Sequence, residues 1–174
     1  MDIDAVTKIL DDIYDEDLAI GALIVKPATD EELERLQRDL AEAGEGIPLA
    51  PPDLLDFLRV ANGVAWNGFE FFGTYQVTVK QTGYTLPDIV TMNIEKHGMT
   101  SGLEDMLYIG RFDEDTYVYN AGTGKYVVLD ALTRFEVETY DSYEELFLSC
   151  VTPYVEACLY PDADDEGPSL DEGE

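Results

Sequence analysis

Residues 106–140 read MLYIGRFDEDTYVYNAGTGKYVVLDALTRFEVETY, and this stretch decides the fold class. Its β-branched and aromatic residues cluster in four short runs, at 107–109, 117–120, 126–129 and 135–140, which predict four strands. The Ala-Gly-Thr-Gly segment at 121–124 predicts a hairpin turn between the second and third runs. Strands that follow one another through short turns pair antiparallel, so the stretch predicts an antiparallel sheet.

Helical patterns lie on both sides of these strands. Apolar residues recur at three- and four-residue steps in 2–14, and Thr29 with Glu32 forms a capping box that predicts a helix ending at Gly44. Two prolines at 51–52 begin a helix that Asn62-Gly63 ends. The remaining signals predict an extended segment at 22–25, strands at 69–72 and 75–80, and a helix at 86–96. A second capping box, at Ser142 and Glu145, opens the last helix, which Pro153 kinks or splits.

The order of these elements predicts an α+β fold. We expect a mostly antiparallel sheet of about five to six strands, packed against N-terminal and C-terminal helices. A chain of 174 residues suits one domain, which we place at residues 1–160. Residues 161–174, PDADDEGPSLDEGE, contain seven acids, no base and one large apolar residue, so they predict a flexible acidic tail.

The net charge is the most unusual feature of the composition. The chain has 38 acidic and 10 basic residues, which gives a formal net charge of −28. Such a chain repels nucleic acid and anionic membranes and attracts basic partners. Acidity that serves only solubility, or that reflects an acidic proteome, explains the same charge and stays open as an alternative. No apolar run approaches the roughly 18 residues of a membrane span, and no basic leader precedes an apolar stretch, so we expect a cytoplasmic protein.

The sequence predicts no catalytic, cofactor or metal site. His97 is the only histidine, and we interpret it as a partner of a helix dipole. Cys150 and Cys158 lie eight residues apart in a predicted helix, too far for a disulfide, and are interpreted as small core residues. No phosphate-binding loop or nucleophile elbow is present, and carboxylate pairs are too frequent to be specific. We therefore expect that the protein is not an enzyme.

Several segments, in order, resemble the SUKH superfamily of Smi/Knr-type proteins, especially its YrhA-like branch. They are PPDLLDFL at 51–58 leading to Ala-Asn-Gly at 61–63, NGFEFFG at 67–73, LYIG at 107–110, YVYN at 117–120, YVVLD at 126–130 and SYEELF at 142–147. The resemblance covers roughly residues 29–150, and it rests on the joint order and spacing of short motifs. Asn62, Gly63, Gly68 and Gly73 also have a physical interpretation, since they can turn or punctuate the backbone.

The resemblance implies a function in binding. Many bacterial members resemble immunity proteins that block polymorphic or contact-dependent toxins, and many of those toxins are nucleases. A nuclease surface is basic because it holds phosphates, so an acidic inhibitor can compete for it. The resemblance, taken together with the charge, thus implies an immunity protein that binds a cognate, basic toxin, with a nuclease as one such toxin, 1:1 as a monomer and neutralises it by direct occlusion. An intracellular scaffold or regulatory module is the alternative, and a DNA mimic is a third.

Seven residues are candidates for partner binding: Trp66, Glu70, Tyr75, Asp113, Glu114, Asp115 and Tyr117. Trp66 and Tyr75 are the candidate desolvated anchors, since aromatic residues dominate the binding energy of many interfaces. The acids at 113–115 are the candidate charged patch. The alternatives are that Trp66 packs in the core beside a helix cap, and that residues 113–115 form only a solvated hairpin tip.

Overall fold

The computed structural model describes residues 2–14, 22–99, 102 and 104–159. The acidic tail predicted at 161–174 lies outside the described residues. The helices of the described part are α1 (Ile3–Ile13), α2 (Asp30–Ala43), α3 (Pro52–Leu58), α4 (Ile89–Met99) and α5 (Tyr143–Leu159). Its strands are β1 (Leu23–Ile24), β2 (Val64–Trp66), β3 (Phe69–Phe71), β4 (Val77–Thr78), β5 (Thr85–Leu86), β6 (Met106–Phe112), β7 (Asp115–Asn120), β8 (Lys125–Asp130) and β9 (Glu136–Tyr140).

Seven strands form one antiparallel sheet in the order β1-β2-β3-β6-β7-β8-β9. The separate β4–β5 hairpin and helix α4 are inserted between β3 and β6. The predicted α+β class with a mostly antiparallel sheet is confirmed. The sheet is wider than predicted because the extended segment at 22–25 contributes β1 and residues 64–66 form β2, whereas the strand predicted at 75–80 contributes only to the small hairpin.

Of the two predicted capping boxes, the one at Thr29 forms and the one at Ser142 forms only in part. Thr29 Oγ1 accepts from the Glu32 N–H at 3.2 Å and Glu32 Oε2 accepts from the Thr29 N–H at 2.8 Å, which confirms the first box. At α5, Ser142 Oγ accepts from the Glu145 N–H at 3.1 Å. The Glu145 carboxylate, however, accepts from the N–H of Asp141 at 2.9 Å, one residue earlier than a capping box requires. Helix α5 continues through Pro153 to Leu159, so the proline does not split it.

Helix α4 begins three residues later than predicted. Leu86 belongs to β5, and the helix starts after Asp88, whose Oδ1 accepts from the Thr91 N–H at 2.8 Å. Asn93 of α4 is fully buried and binds the backbone of Tyr108, donating to its carbonyl and accepting from its N–H, both at 2.8 Å. Strand β3 pairs with β6 only from Gly110 onward, so it does not reach Tyr108. The Asn93 side chain supplies the hydrogen bonds of the Tyr108 N–H and carbonyl in its place.

The main hydrophobic core lies on one face of the sheet, and side chains from α1 to α5 contribute to it. Alternation along the strands places Phe71, Tyr117 and Tyr126 on this face. Tyr108, Val118, Val127 and Leu129 form a smaller cluster on the opposite face. Helix α5 packs against α1, α3 and the strands β8 and β9, so it covers the far end of the sheet. Among the residues described, no helix has both the length and the hydropathy that crossing a bilayer requires.

Candidate partner-binding cleft

A cleft of about 330 Å³ opens between α5 and the end of the sheet formed by β7, β8 and β9. Its floor consists of side chains that alternate onto the core face of these strands. Tyr117 of β7 lies opposite Val128 of β8, which in turn lies opposite Glu138 of β9. Asp115 and Tyr140 extend this floor on the two outer strands. The register of three strands therefore brings two carboxylates and two phenols into one cleft.

Helix α5 supplies the opposite wall. Ser149, Cys150, Pro153 and Tyr154 line the cleft, and their three- and four-residue spacing places them on one face of the helix. Tyr154 retains 41% of its exposure, so its ring stands at the entrance and not within the core.

Stacked aromatic rings close one end of the cleft. The rings of Phe69 and Phe112 stack with centroids 3.9 Å apart. Tyr154 meets both of them edge to face, at 5.0 Å from Phe69 and 5.2 Å from Phe112. Edge-to-face packing of this kind stabilises aromatic clusters beyond the area that they bury. The Tyr154 ring is therefore held in place while one part of it faces solvent.

The surroundings of Asp115 raise the pKa of its carboxyl group. Partial burial raises its pKa above the ordinary value, and the carboxylates of Asp130, Asp113 and Glu138 raise it further. The charged neighbours that raise this pKa are thus acids. The cleft and the adjoining β6–β7 turn form a region of concentrated negative charge.

The thiol of Cys150 lies within hydrogen-bonding reach of the hydroxyls of Tyr117 and Tyr140. Burial raises the pKa of this thiol, against the lowering effect of the Tyr117 hydroxyl, so the thiolate is disfavoured. The Tyr140 hydroxyl also donates to the carboxylate of Glu138. The imidazole of His97 lies elsewhere, with Nε2 at 2.8 Å from the Met106 carbonyl oxygen. The cleft therefore offers acceptors and ring faces, and its cysteine is poorly suited to nucleophilic attack.

The β8–β9 hairpin places apolar side chains beside this acidic region. Leu132, Phe135 and Val137 are 81%, 74% and 57% exposed. Asp130 Oδ1 accepts from the N–H groups of Leu132 and Thr133, at 3.1 Å and 2.6 Å, and hydrogen bonds from Thr133 hold the pKa of Asp130 below its usual value. The turn is thus fixed by its own hydrogen bonds while its apolar side chains face water. An exposed apolar group rimmed by charge is typical of an interaction surface.

Four of the seven sequence-predicted residues lie in this region. Asp113 and Glu114 are exposed at the β6–β7 turn, Asp115 lines the cleft, and Tyr117 forms part of its floor. Tyr117 is only 2% exposed, so it can contribute the edge of the cleft and not a protruding anchor.

Trp66 is corrected from a candidate anchor to a core residue. Its side chain is 4% exposed, and its ring stacks with Phe69 at a centroid distance of 6.3 Å. A ring buried to this degree cannot insert into a partner unless the local structure opens. The alternative interpretation, core packing beside the preceding helix cap, is the one that the structure supports.

Glu70 and Tyr75 lie away from the cleft. Glu70 alternates with Phe69 and Phe71 in β3, so its side chain projects from the opposite face of the sheet, where it pairs with Arg111. It also accepts a hydrogen bond from the Tyr84 hydroxyl at 2.8 Å. Tyr75 is half-buried against the main core in the segment that precedes β4. Neither residue is brought together with the acids at 113–115.

The cleft residues that were not among the predicted ones include the polar and aromatic side chains of Glu138, Tyr140, Cys150 and Tyr154. The alternation of residues 136–140 and the four-residue spacing of Cys150 and Tyr154 were visible in the sequence, but neither showed that β9 and α5 face each other. The interpretation of both cysteines as core residues was wrong for Cys158, which is exposed. Cys150 is half-buried, and both thiols are free.

Among the residues that the structure describes, no group of three or more His, Cys, Asp or Glu side chains is arranged to hold a metal ion. No protein-family model matches the chain, and no curated protein is significantly similar to it.

Proposed function

We propose that this protein is an immunity protein that binds a basic bacterial toxin at the cleft end of its sheet and neutralises it by occlusion. One observation carries the proposal: Asp115 and Glu138 line a cleft that adjoins an exposed apolar hairpin, and Asp113 and Asp130 add negative charge that acts on Asp115. A basic protein surface complements the charge, and its apolar residues can cover Leu132, Phe135 and Val137. Apolar contact with a charged surround is the usual composition of a protein–protein interface.

The charge of the whole chain supports the same partner. With 38 acids against 10 bases, most carboxylates have no basic residue of this chain to neutralise them. An opposite field accelerates the encounter with a basic protein and repels nucleic acid. A toxin that acts on nucleic acid needs a basic surface for phosphates, and an acidic protein that covers this surface blocks its activity. A nuclease is therefore the class of toxin that fits the proposal best.

The resemblance to SUKH proteins is the second support for the proposal. We propose membership of this superfamily, on motifs that include Asn62-Gly63 and the segment SYEELF at 142–147. The proposal also includes action in the cytoplasm of the producing cell, a monomeric state, a 1:1 complex and no catalytic activity of its own.

The test uses the protein encoded by the neighbouring gene. Co-expression of that protein with the full chain is expected to rescue growth of a bacterial host, and size-exclusion chromatography with light scattering is expected to give a 1:1 complex. The purified chain should inhibit the neighbour's nuclease or other toxic activity in proportion to the amount of complex. Absence of both binding and rescue overturns the proposal and favours the alternative, a module that binds a cellular protein.

A further inference from the structure

We infer that the cleft between α5 and β7–β9 receives one arginine side chain of the protein partner. The inference rests on the proposed function, because it assigns a contact within the same interface. It goes further in naming the chemical group that enters the cleft and the residues that hold it. Three features of the cleft carry it: its size, its aromatic walls and the placement of its carboxylates.

The size of the cleft suits a single side chain. A volume of about 330 Å³ lies at the low end of the range of roughly 300–1,000 Å³ that is typical of small-ligand sites. It is open at Tyr154 and Val137, which are 41% and 57% exposed. A long side chain that protrudes from a partner can therefore enter without displacing a core residue.

The walls favour a planar cation. The partly exposed rings of Phe112, Tyr140 and Tyr154 line the cleft, whereas Phe69 and Tyr117 also line it but are only 2% exposed. Aromatic rings attract cations, and a guanidinium group stacks on ring faces in a way that the compact ammonium of lysine does not. Tyr154 is the ring that a guest meets first, and its contacts with Phe69 and Phe112 hold it in place.

The carboxylates of Asp115 and Glu138 complete the site. They lie on the two strands that flank β8 and are offset by two residues in register, because Glu138 and Tyr117 lie opposite Val128 whereas Asp115 lies opposite Asp130. Strand spacing and this offset together separate their backbones by roughly 12 Å. That spacing leaves room for a group that donates hydrogen bonds on more than one side, as a guanidinium does. Glu138 is oriented by the hydroxyl of Tyr140, and an arriving cation relieves the repulsion that Asp115 experiences from Asp113, Asp130 and Glu138.

Other guests fit less well. An anion would meet the repulsion of these acids, and a purely apolar side chain would leave Asp115 and Glu138 without new partners as water is displaced. A metal ion would need convergent ligands, and none of the described residues forms such a group. Arginine combines the positive charge with the flat shape that the rings can stack against.

The first experiment uses the full chain without its partner. Nα-acetyl-arginine amide is titrated into ¹⁵N-labelled protein at low salt, and Nα-acetyl-citrulline amide, its neutral isostere, serves as the matched probe. We expect saturable shifts for the arginine probe at Asp115, Tyr117, Glu138 and Tyr154, with a Kd in the millimolar range that is usual for so small a ligand. The citrulline probe should give shifts at least about tenfold weaker, since it lacks the charge. Equal binding of both probes, or shifts outside the cleft only, overturns the inference.

One matched pair of variants and one further variant distinguish binding in the cleft from a general effect of charge. Glu138→Gln should raise the Kd of the arginine probe about tenfold, whereas Glu136→Gln, which removes the same charge from the same strand outside the cleft, should leave it within about twofold. Tyr154→Leu, which keeps an apolar side chain but removes the ring, should weaken binding severalfold. Equal effects of the two glutamate variants overturn the inference, and so does tighter binding of the corresponding lysine amide.

The same variants in the toxin assay distinguish this inference from the proposed function. If Glu138→Gln and Tyr154→Leu bind the neighbouring gene's product as tightly as the unchanged chain does, the assignment of the cleft fails while the proposed function stands. If the arginine probe occupies the cleft but the neighbouring product is not bound, the proposed function fails and the inferred partner contact fails with it.

Discussion

Asn62 and Thr74 join the end of helix α3 to the chain that leaves β3. The Asn62 Oδ1 accepts from the Thr74 N–H at 2.8 Å, and its Nδ2 donates to the Thr74 Oγ1 at 2.9 Å. Both residues are buried, Asn62 at 1% exposure. One carboxamide therefore fixes the path of the chain on both sides of the β2–β3 hairpin.

Asn62→Ala should lower the free energy of unfolding by about 2–3 kcal/mol, because the N–H and hydroxyl of Thr74 would be left buried without this partner. Urea unfolding followed by circular dichroism measures the change. Gln76→Ala is the matched control, since Gln76 is an exposed amide in the same segment and its loss should cost no more than about 0.5 kcal/mol. Equal effects of the two variants would contradict the bonded role of Asn62.

Gly73→Ala should destabilise the protein by more than about 3 kcal/mol or prevent folding. A Cβ atom at this position would lie 2.2 Å from the Asn62 carbonyl oxygen, and backbone cannot yield as a flexible side chain does. Gly98→Ala in α4 is the control, because no heavy atom lies within 4 Å of its added Cβ. This second change should stabilise the protein by up to about 1 kcal/mol through helix propensity. Thermal unfolding should show a lower midpoint temperature for Gly73→Ala and an unchanged or higher one for Gly98→Ala.

Tyr126→Phe should cost about 1–2 kcal/mol of stability. The Tyr126 hydroxyl donates to Asp53 Oδ1 at 2.6 Å, while Asp53 Oδ2 accepts from the Tyr143 N–H at 2.8 Å, so Asp53 joins α3, β8 and the start of α5. Tyr143→Phe is the matched control. The Tyr143 hydroxyl is buried with no hydrogen-bond partner in the described part of the chain, so its removal should be neutral or stabilising. A larger loss for Tyr143→Phe than for Tyr126→Phe would contradict this assignment.

Asp115→Asn should stabilise the protein at pH 7, by about 0.5 kcal/mol or less because the carboxylate is still partly in contact with water. Burial and the carboxylates of Asp130, Asp113 and Glu138 raise the folded-state pKa of Asp115 above the ordinary value of 3.8. Below about pH 3.8 the carboxyl is protonated in both the folded and the unfolded state and imposes no penalty. As the pH rises through the raised pKa, the penalty accumulates and is complete at neutral pH. Denaturant unfolding of the Asp115→Asn variant should therefore show a higher free energy of unfolding than the unchanged chain at pH 7 but not at pH 3. A higher value at pH 3 alone would contradict the raised pKa of Asp115.

Removing two charges at the β6–β7 turn should slow association with the neighbouring gene's product. Asp113→Asn with Glu114→Gln is expected to lower the association rate severalfold at low salt, with little change in dissociation, because exposed charges steer the encounter. The difference should shrink as salt is added. Glu31→Gln with Glu34→Gln in α2 removes the same charge from another exposed surface and should have a smaller effect. Surface plasmon resonance at several salt concentrations measures both rates, and an unchanged association rate would exclude steering by this turn.

The strands at 106–140 and the helices with clear caps were predictable because their signals are local: alternation, turn glycines and the capping box at Thr29. The β2–β3 hairpin also has a local signal, the Asn-Gly pair at 67–68, where both residues have positive φ, at 47° and 88°. Its strands are only three residues long, however, and β2 was missed.

The cleft could be predicted only in part because it is formed by tertiary packing. Asp115 was identified from the charge run at 113–115, but Glu138 reaches the same cleft through the register of two further strands. That register includes an irregularity at Val137, where β9 has one more residue than β8. A one-residue shift changes the face on which a side chain lies, so alternation alone could not place Glu138. Trp66 was misplaced for a related reason, since an aromatic residue beside a turn suits a core and an interface equally well.

The residues that fix the path of the backbone and the residues exposed beside the cleft are different ones. Asn62, Gly73 and Asp53 are fixed by hydrogen bonds or close backbone contacts, whereas Glu114, Leu132 and Phe135 have exposed side chains. Substitutions in the second group can alter which protein is recognised at little cost to folding. A scaffold divided in this way can change the partner that it recognises while its architecture stays constant, and the proposed immunity function would require that property.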